Sequence, residues 1–376
     1  MNSLHGIRIL DLSRLLPGPY ATQLLANLGA EVIKIERPPE GDYARQMPPF
    51  CPLRRADTTN TDDAEWVGAI FAQNNIGKKS VALNFDDARG REILLRLAEH
   101  ADVLIESFRP GAMAQRGLDY ASVSAHNPRL IYCSLSGYGQ TGPYRQRAGH
   151  DLNYLAVAGV LKMNGARDAS PVPLPVQVAD LAGGMRATLE IVAALVERER
   201  TGKGKYLDVA LFDAAVDWMQ TILGACYRAE GENPERGATH LTGAYPCYNV
   251  YETQDGAYMA LGALEEKFWR AFCEGIARAD LMESQFDADA IPRVAALFKQ
   301  RTRVAWTEFA QQTDCCLEPL LDVSEALKHP QVVARDLAQG GGAVPRLGEH
   351  TRELLGALGM EQAEFQTLQA AEIILE

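Results

Sequence analysis

The stretch IRILDLSRLLPGPYATQLLANLGAEVIKI, residues 7–35, carries the pattern that decides the fold. Ile7 to Leu10 is an apolar run of strand length, and Pro17-Gly18-Pro19 marks a turn. Tyr20 to Leu28 then reads as a helix and Glu31 to Ile35 as a second strand. The alternation continues downstream. Val81-Ala82-Leu83 precedes a helix with Ile93, Leu94, Leu97 and Ala101 at spacings of one, three and four, and Asp102 to Ile105 and Leu130 to Tyr132 are further strands. Short apolar runs alternating with amphipathic helices imply an α/β domain built on a largely parallel sheet. No GxGxxG follows the first strand, so no dinucleotide cofactor is expected.

Three regions depart from this rhythm. Residues 41–73 contain several prolines and the polar run Asp57 to Asp63, and read as a long, partly mobile insertion loop of the kind that lids a site. Met185, Leu189, Val192 and Val196 form a helical stripe, with a stop expected at Thr201-Gly202-Lys203-Gly204. Asp213 to Leu223 reads as another helix and Glu230 to Thr242 as a polar linker. A second unit begins near Tyr248. Tyr248 to Thr253 and Ala257 to Ala263 flank Gln254-Asp255-Gly256, a strong hairpin signal, and helices follow from about Lys267 and around Trp306.

The 376 residues suffice for one large or two smaller cores. The net charge of −12 argues against general nucleic-acid binding, which needs a basic footprint. It leaves room for an anionic ligand held by a few local arginines. No apolar run approaches a membrane span, and the start Met1-Asn2-Ser3-Leu4-His5 has no secretory pattern. The seven cysteines (Cys51, Cys133, Cys226, Cys247, Cys273, Cys315 and Cys316) are odd in number and form no CxxC pair. A zinc site or disulfide framework is not expected, and a reducing cytoplasm fits; the Cys315-Cys316 pair reads as buried packing.

Three residues are candidates for acid-base chemistry, each with an ordinary alternative. His150, in Ala148-Gly149-His150-Asp151-Leu152-Asn153-Tyr154, sits at a loop-to-helix junction. An imidazole suits proton transfer near neutral pH, yet most histidines are surface or packing residues. Asp180 precedes a long helix, where aspartate is often only an N-cap. Glu265 ends the second hairpin strand before a helix, where a carboxylate is often only a dipole partner.

Several blocks, in one order across nearly the whole chain, resemble the family III CoA-transferases, and most closely their alpha-methylacyl-CoA racemase branch. They are Leu16 to Pro19, Leu28 to Pro38, Gly77 to Asn84, Asp102 to Gly111 and Ser136 to Pro143. The branch rests on fewer residues. The Gly149 to Tyr154 loop resembles the racemase catalytic loop, with His150 as its base; Val178 to Gly184 matches the segment of the family aspartate, Asp180; Leu261 to Glu265 resembles the segment whose glutamate orients the histidine. Gly41 to Phe50 and the insertion after it look more like transferase members.

The resemblance implies a Rossmann-like large domain (1–208 plus about 345–376), a linker (209–248), a smaller α+β domain (249–334) and a return linker (335–344). Two copies would interlock as a homodimer, with the site formed between domains. Arg37 and Arg109 match positions near nucleotide phosphates, and Leu83, Asn84, Phe85, Asp86 and Glu106 match the CoA-lining strand ends. Gly149, Asp151, Leu152, Asn153 and Tyr154 would line the thioester, with a backbone N–H near Asp151 on the enolate oxygen. The implied partner is an acyl-CoA substrate, with no metal, no separate cofactor, no nucleic acid and no membrane.

Two reactions fit these residues. In a racemase of 2-methylacyl-CoA thioesters, His150 and Asp180 flank a planar enolate and exchange its α-proton, while Glu265 fixes the imidazole tautomer. In a CoA-transferase, Asp180 attacks the thioester and forms a mixed anhydride. A non-catalytic CoA-binding protein would be expected to lack one of the three residues, and none is missing.

Overall fold

The computed structural model describes residues 2–53, 65–224, 233–337 and 342–376. The described residues of Met1–Gly159, Leu174–Trp218 and Gly340–Glu376 form one compact unit, and those of Val160–Pro173 and Met219–Gln339 form a second.

The first unit is built on strands β1 (Arg8–Asp11), β2 (Glu31–Glu36), β5 (Lys79–Leu83), β6 (Val103–Glu106), β7 (Ile131–Ser136), β8 (Tyr206–Ala210) and β12 (Ile374–Leu375). Phe50–Pro52 (β3) and Trp66–Gly68 (β4) pair separately as a small antiparallel ribbon. The main sheet runs β12-β5-β2-β1-β6-β7-β8 and is parallel except for β12, which lies antiparallel to β5 with Ile374 opposite Leu83. The expected α/β architecture with a parallel-dominated sheet is what the structure has. Strand order reverses between β1 and β6, and in such sheets the reversal opens a crevice at the carboxyl ends of the strands.

Alternating strand residues fill both faces. Leu10, Ile33, Val81 and Leu104 pack with Ile93, Leu94 and Leu97 of the helix Ala88–Glu99. The intervening set, Ile9, Val32, Val103 and Ile131, is also buried, as a doubly covered sheet requires. The helix expected at Tyr20 starts earlier, at Pro17, because proline suits a first helical turn. It packs against the long helix Val178–Thr201, and Gly184 allows the approach: a Cβ there would lie 2.7 Å from the Pro17 carbonyl oxygen. That helix ends at Gly202 with φ +71°, the left-handed cap its sequence called for.

The stripe Met185, Leu189 and Val196 is helical as expected, and these residues are 49%, 69% and 59% exposed; the opposite, buried face carries Ala179, Ala182, Gly183, Gly184 and Ala187, then Ile191, Ala194 and Leu195. One expectation needs correction. The segment after Gly41 is not a plain loop in its described parts. It holds a 3-10 turn (Tyr43–Gln46), the β3–β4 ribbon and the helix Ala69–Asn74, and Ala44, Leu53, Val67 and Phe71 close a small core with Val344. Residues 54–64, which include the polar run, lie outside the described residues.

In the second unit β9 (Tyr248–Glu252), β10 (Tyr258–Gly262) and β11 (Leu317–Pro319) form an antiparallel sheet, with the Asp255-Gly256 hairpin as expected. Helices Glu266–Gly275, Ile291–Phe298 and Arg303–Gln312 cover it with Trp269, Phe272, Phe298 and Trp306. Both buried indoles donate to carbonyls, Trp269 to Leu281 and Trp306 to Phe298, so no polar ring atom is stranded. The expected helix from Asp213 to Leu223 is two shorter pieces, Leu211–Asp217 and Gln220–Ile222, and part of the expected linker, with Cys226, lies outside the described residues. Cys315 is buried but Cys316 is exposed, so only half of that pair packs.

Candidate active site

Two helix N-termini meet around one carboxylate. His150 occupies the N-cap of the short helix Asp151–Val157, with extended backbone, and its N–H donates to Asn153 Oδ1 at 3.0 Å. Asp151, the first residue of that helix, accepts from the N–H groups of Ala179 (2.7 Å) and Asp180 (3.3 Å) with one oxygen, Oδ1. It thereby caps the helix Val178–Thr201 from outside. Asp180 is not the N-cap its position suggested: the cap residue is Gln177, which offers no side-chain bond, and Asp180 lies in the first turn. Tyr154 donates to the Gly149 carbonyl at 2.5 Å, and a Cβ on Gly149 would sit 2.7 Å from its ring, which holds the loop before His150 in place. Leu152 and Asn153 are exposed on the same turn.

This arrangement is electrostatically unusual. Burial, aided by the neighbouring Asp151 carboxylate, pushes the Asp180 carboxyl from 3.8 up to about 7. Asp151 is itself pushed up by burial, partly offset by the two N–H groups it caps. The N–H of Asp151 is among the donors a helix leaves without an internal partner, and the helix dipole favours negative charge beside it. His150 is exposed to solvent. Glu265, in the second unit, is exposed at the N-cap of the helix Glu266–Gly275; Gln285 Nε2 holds the loop before it through the carbonyls of Ala263 and Leu264.

At the carboxyl ends of β1, β2, β5 and β6 lies a crevice of about 610 Å³. Arg37, Phe85, Asp86 and Arg109 line it; Leu83 is fully buried beneath, and Asn84 holds the turn by accepting from the Asp86 N–H. Two lining arginines escaped the sequence reading. Arg14 stacks between Tyr43 and Phe108, its guanidinium 5.1 and 4.8 Å from their centroids, and Arg116 reaches Asp86. Their signal was position: Arg14 follows the end of β1 at the strand-order reversal, where α/β ligands bind. Arg14 and Arg109 have no ion pair among the described residues. Glu106 does not line this crevice but an adjoining one of about 230 Å³ that shares Arg109. Burial pushes its carboxyl up to about 7, opposed by hydrogen bonds from Ser134 and the Phe108 N–H.

The crevice floor rests on a buried charge network that the sequence did not announce. Lys34 bonds Asp42 at 3.0 Å, Lys78 bonds Asp11 at 3.2 Å, and Arg45 bonds Glu36 at 2.7 Å. Three cations meet three carboxylates, so the floor is neutral and its carboxylates do not repel an anion above. Burial raises the Asp11 carboxyl, but Lys34, Lys78 and the Ser13 and Thr22 hydroxyls win and bring it down to about 2.

The first unit is thus a doubly wound α/β sheet with an arginine-lined crevice at its switch point and a raised carboxyl where two helix N-termini converge. The chain belongs to the family described as CoA-transferase family III, whose model matches residues 4–348. Its relatives carry both chemistries. It is 31% identical over 402 residues to the human alpha-methylacyl-CoA racemase, covering 99% of this chain and 97% of that protein. It is 32% identical over 391 residues to the succinyl-CoA:glutarate CoA-transferase of Mus musculus, covering 94% and 86%. Among solved structures it matches a CAIB/BAIF family protein from Brucella suis with TM-score 0.82 and 30% identity, covering 95% of this chain and 100% of that one.

Proposed function

We propose that this enzyme racemises 2-methylacyl-CoA thioesters through an enolate. The observation that carries the reading is the Asp180 carboxyl held near pH 7, on a helix start capped by the residue that follows His150. A two-base racemase needs each group to be a base in one direction and an acid in the other, which is easiest when both forms are populated at neutral pH. His150 removes the α-proton from one face; protonated Asp180 delivers one to the other; the reverse reaction exchanges the roles. The Asp151 N–H and the helix dipole stabilise the enolate oxygen. Nucleotide phosphates lie against the arginines of the crevice. Glu265 keeps the orienting role that the family resemblance gives it. The reaction uses only groups of the chain and the thioester, with no metal or separate cofactor.

The second reading is CoA transfer, favoured by the transferase relative at 32% identity. It asks Asp180 to be an ionised nucleophile, which a carboxyl near 7 is only in part. Incubation with separate R and S 2-methylacyl-CoA thioesters in deuterated water, without any acceptor acid, tests the choice. Deuterium enters the α-position from both enantiomers in the wild type. His150→Ala abolishes racemisation, by at least the ~10²-fold typical of a lost acid-base group, yet keeps exchange from one enantiomer; Asp180→Asn keeps exchange from the other. No exchange across a broad panel, with CoA passing readily to added carboxylates, would overturn the racemase reading.

A further inference from the structure

Four arginines line the crevice, and they are not equivalent. Arg37 comes from the end of β2 and Arg116 from beyond β6, yet both converge on one carboxylate: Asp86 Oδ2 lies 3.0 Å from Arg37 Nη1, and Oδ1 accepts from Arg116 Nε at 2.6 Å. Asp86 is held from its backbone, with its carbonyl accepting from Arg91 at 2.7 Å and its N–H donating to Asn84 at 3.2 Å. Arg116 is fixed in turn by a bond to the Ala112 carbonyl. The three side chains are 62%, 34% and 27% exposed for Arg37, Asp86 and Arg116, so the cluster sits at the rim. Arg14 lies between the Tyr43 and Phe108 rings and, like Arg109, has no ion pair among the described residues. Of the other wall carboxylates, Glu36 and Asp42 are already neutralised by Arg45 and Lys34, and Glu40 holds no cation among the described residues. Asp86 is therefore the acidic side chain in the wall that occupies ligand-directed cations.

We propose that Asp86 is an internal counter-ion standing in for the 3′-phosphate of CoA, displaced by that phosphate on binding, and so tunes how strongly this phosphate counts toward affinity. The inference rests on the reading that CoA occupies this crevice. A 3′-phosphomonoester is close to dianionic at neutral pH and offers three acceptor oxygens, so it outcompetes a monoanionic carboxylate for two guanidinium groups. An exposed ion pair opens at little cost. The displaced carboxylate stays nearby, however, and repels the phosphate, so that Asp86 weakens the contact while keeping both arginines spread for it. Arg14 and Arg109 remain for the diphosphate. A ligand without the 3′-phosphate leaves the Asp86 cluster closed.

Calorimetric titration of CoA and 3′-dephospho-CoA into wild type and Asp86→Asn, at low ionic strength, tests this. Thermal melting verifies that the variant is folded. In Asp86→Asn, CoA should bind about tenfold tighter, the scale of removing one nearby like charge, while 3′-dephospho-CoA changes by less than about threefold. Equal tightening of both ligands would reduce Asp86 to a general charge effect and overturn the proposal. Weaker CoA binding would make Asp86 a positioning group for the arginines and would overturn it too. If the wild type binds neither ligand, the CoA reading itself fails, which is a distinguishable result.

Discussion

At the scale of single residues, the most informative group is Asp180. Its carboxyl ionises near 7 in the folded chain against 3.8 in a free chain, so the unfolded state releases its proton at lower pH than the native state does. Native stability is therefore eroded as pH rises from about 4 to about 7, and the penalty is complete above 7. Asp180→Asn removes the ionisable group. The variant should melt higher than wild type at pH 8 and nearly level with it at pH 4, measured by calorimetry or circular dichroism. A variant that loses stability equally at both pH values would mean the carboxyl is structurally required rather than strained. The sequence made His150, Asp180 and Glu265 visible only as a set, through resemblance. It hid the feature that distinguishes the site, the double capping by Asp151, because that contact joins residues 28 and 29 positions apart. Arg14 and Arg116 were hidden for a similar reason: their neighbours come from other strand ends.

At the scale of elements, the alternation of short apolar runs and amphipathic helices was enough to lay out the parallel sheet, and the Asp255-Gly256 turn to lay out the second sheet. The pattern carried no sign of the buried charge inside it. Lys34 lies in the strand Glu31–Glu36 and is fully buried. Its partner Asp42 also accepts from the Leu15 N–H at 3.0 Å, so this one carboxylate ties β2, the loop after β1 and the segment beyond Gly41 together. That segment looked like a loop because its apolar residues are few and Val344, which completes their core, is far away in sequence. Lys34→Met should leave Asp42 buried without its cation and cost about 3–5 kcal/mol in urea unfolding. Binding of CoA, the ligand proposed for the crevice, should weaken with it, since Asp42 and Tyr43 form the crevice wall. A change within about 0.5 kcal/mol would show that the network is inert.

At the scale of the whole molecule, the longest helix presents an unexplained surface. Met185, Leu189 and Val196 are exposed along one side of Val178–Thr201, and Trp218 is 58% exposed. A contiguous apolar stripe on a monomer is a liability, and it is ordinarily covered by another chain. The family resemblance implies that the cover is a second copy. Each copy carries a net charge of −12, so two copies repel, and the contact must win through apolar burial. Two consequences follow for light scattering after gel filtration. The wild type should run as a homodimer at assay concentration, and added salt should strengthen rather than weaken it, because screening removes the repulsion and leaves the apolar contact. Leu189→Glu, which adds a charge to the stripe and to an already acidic pair, should shift the equilibrium toward monomer, most at low salt. Helical content by circular dichroism should be preserved, since glutamate is a good helix former on an exposed turn. A monodisperse wild-type monomer with full activity would remove the dimer and leave the stripe without its partner.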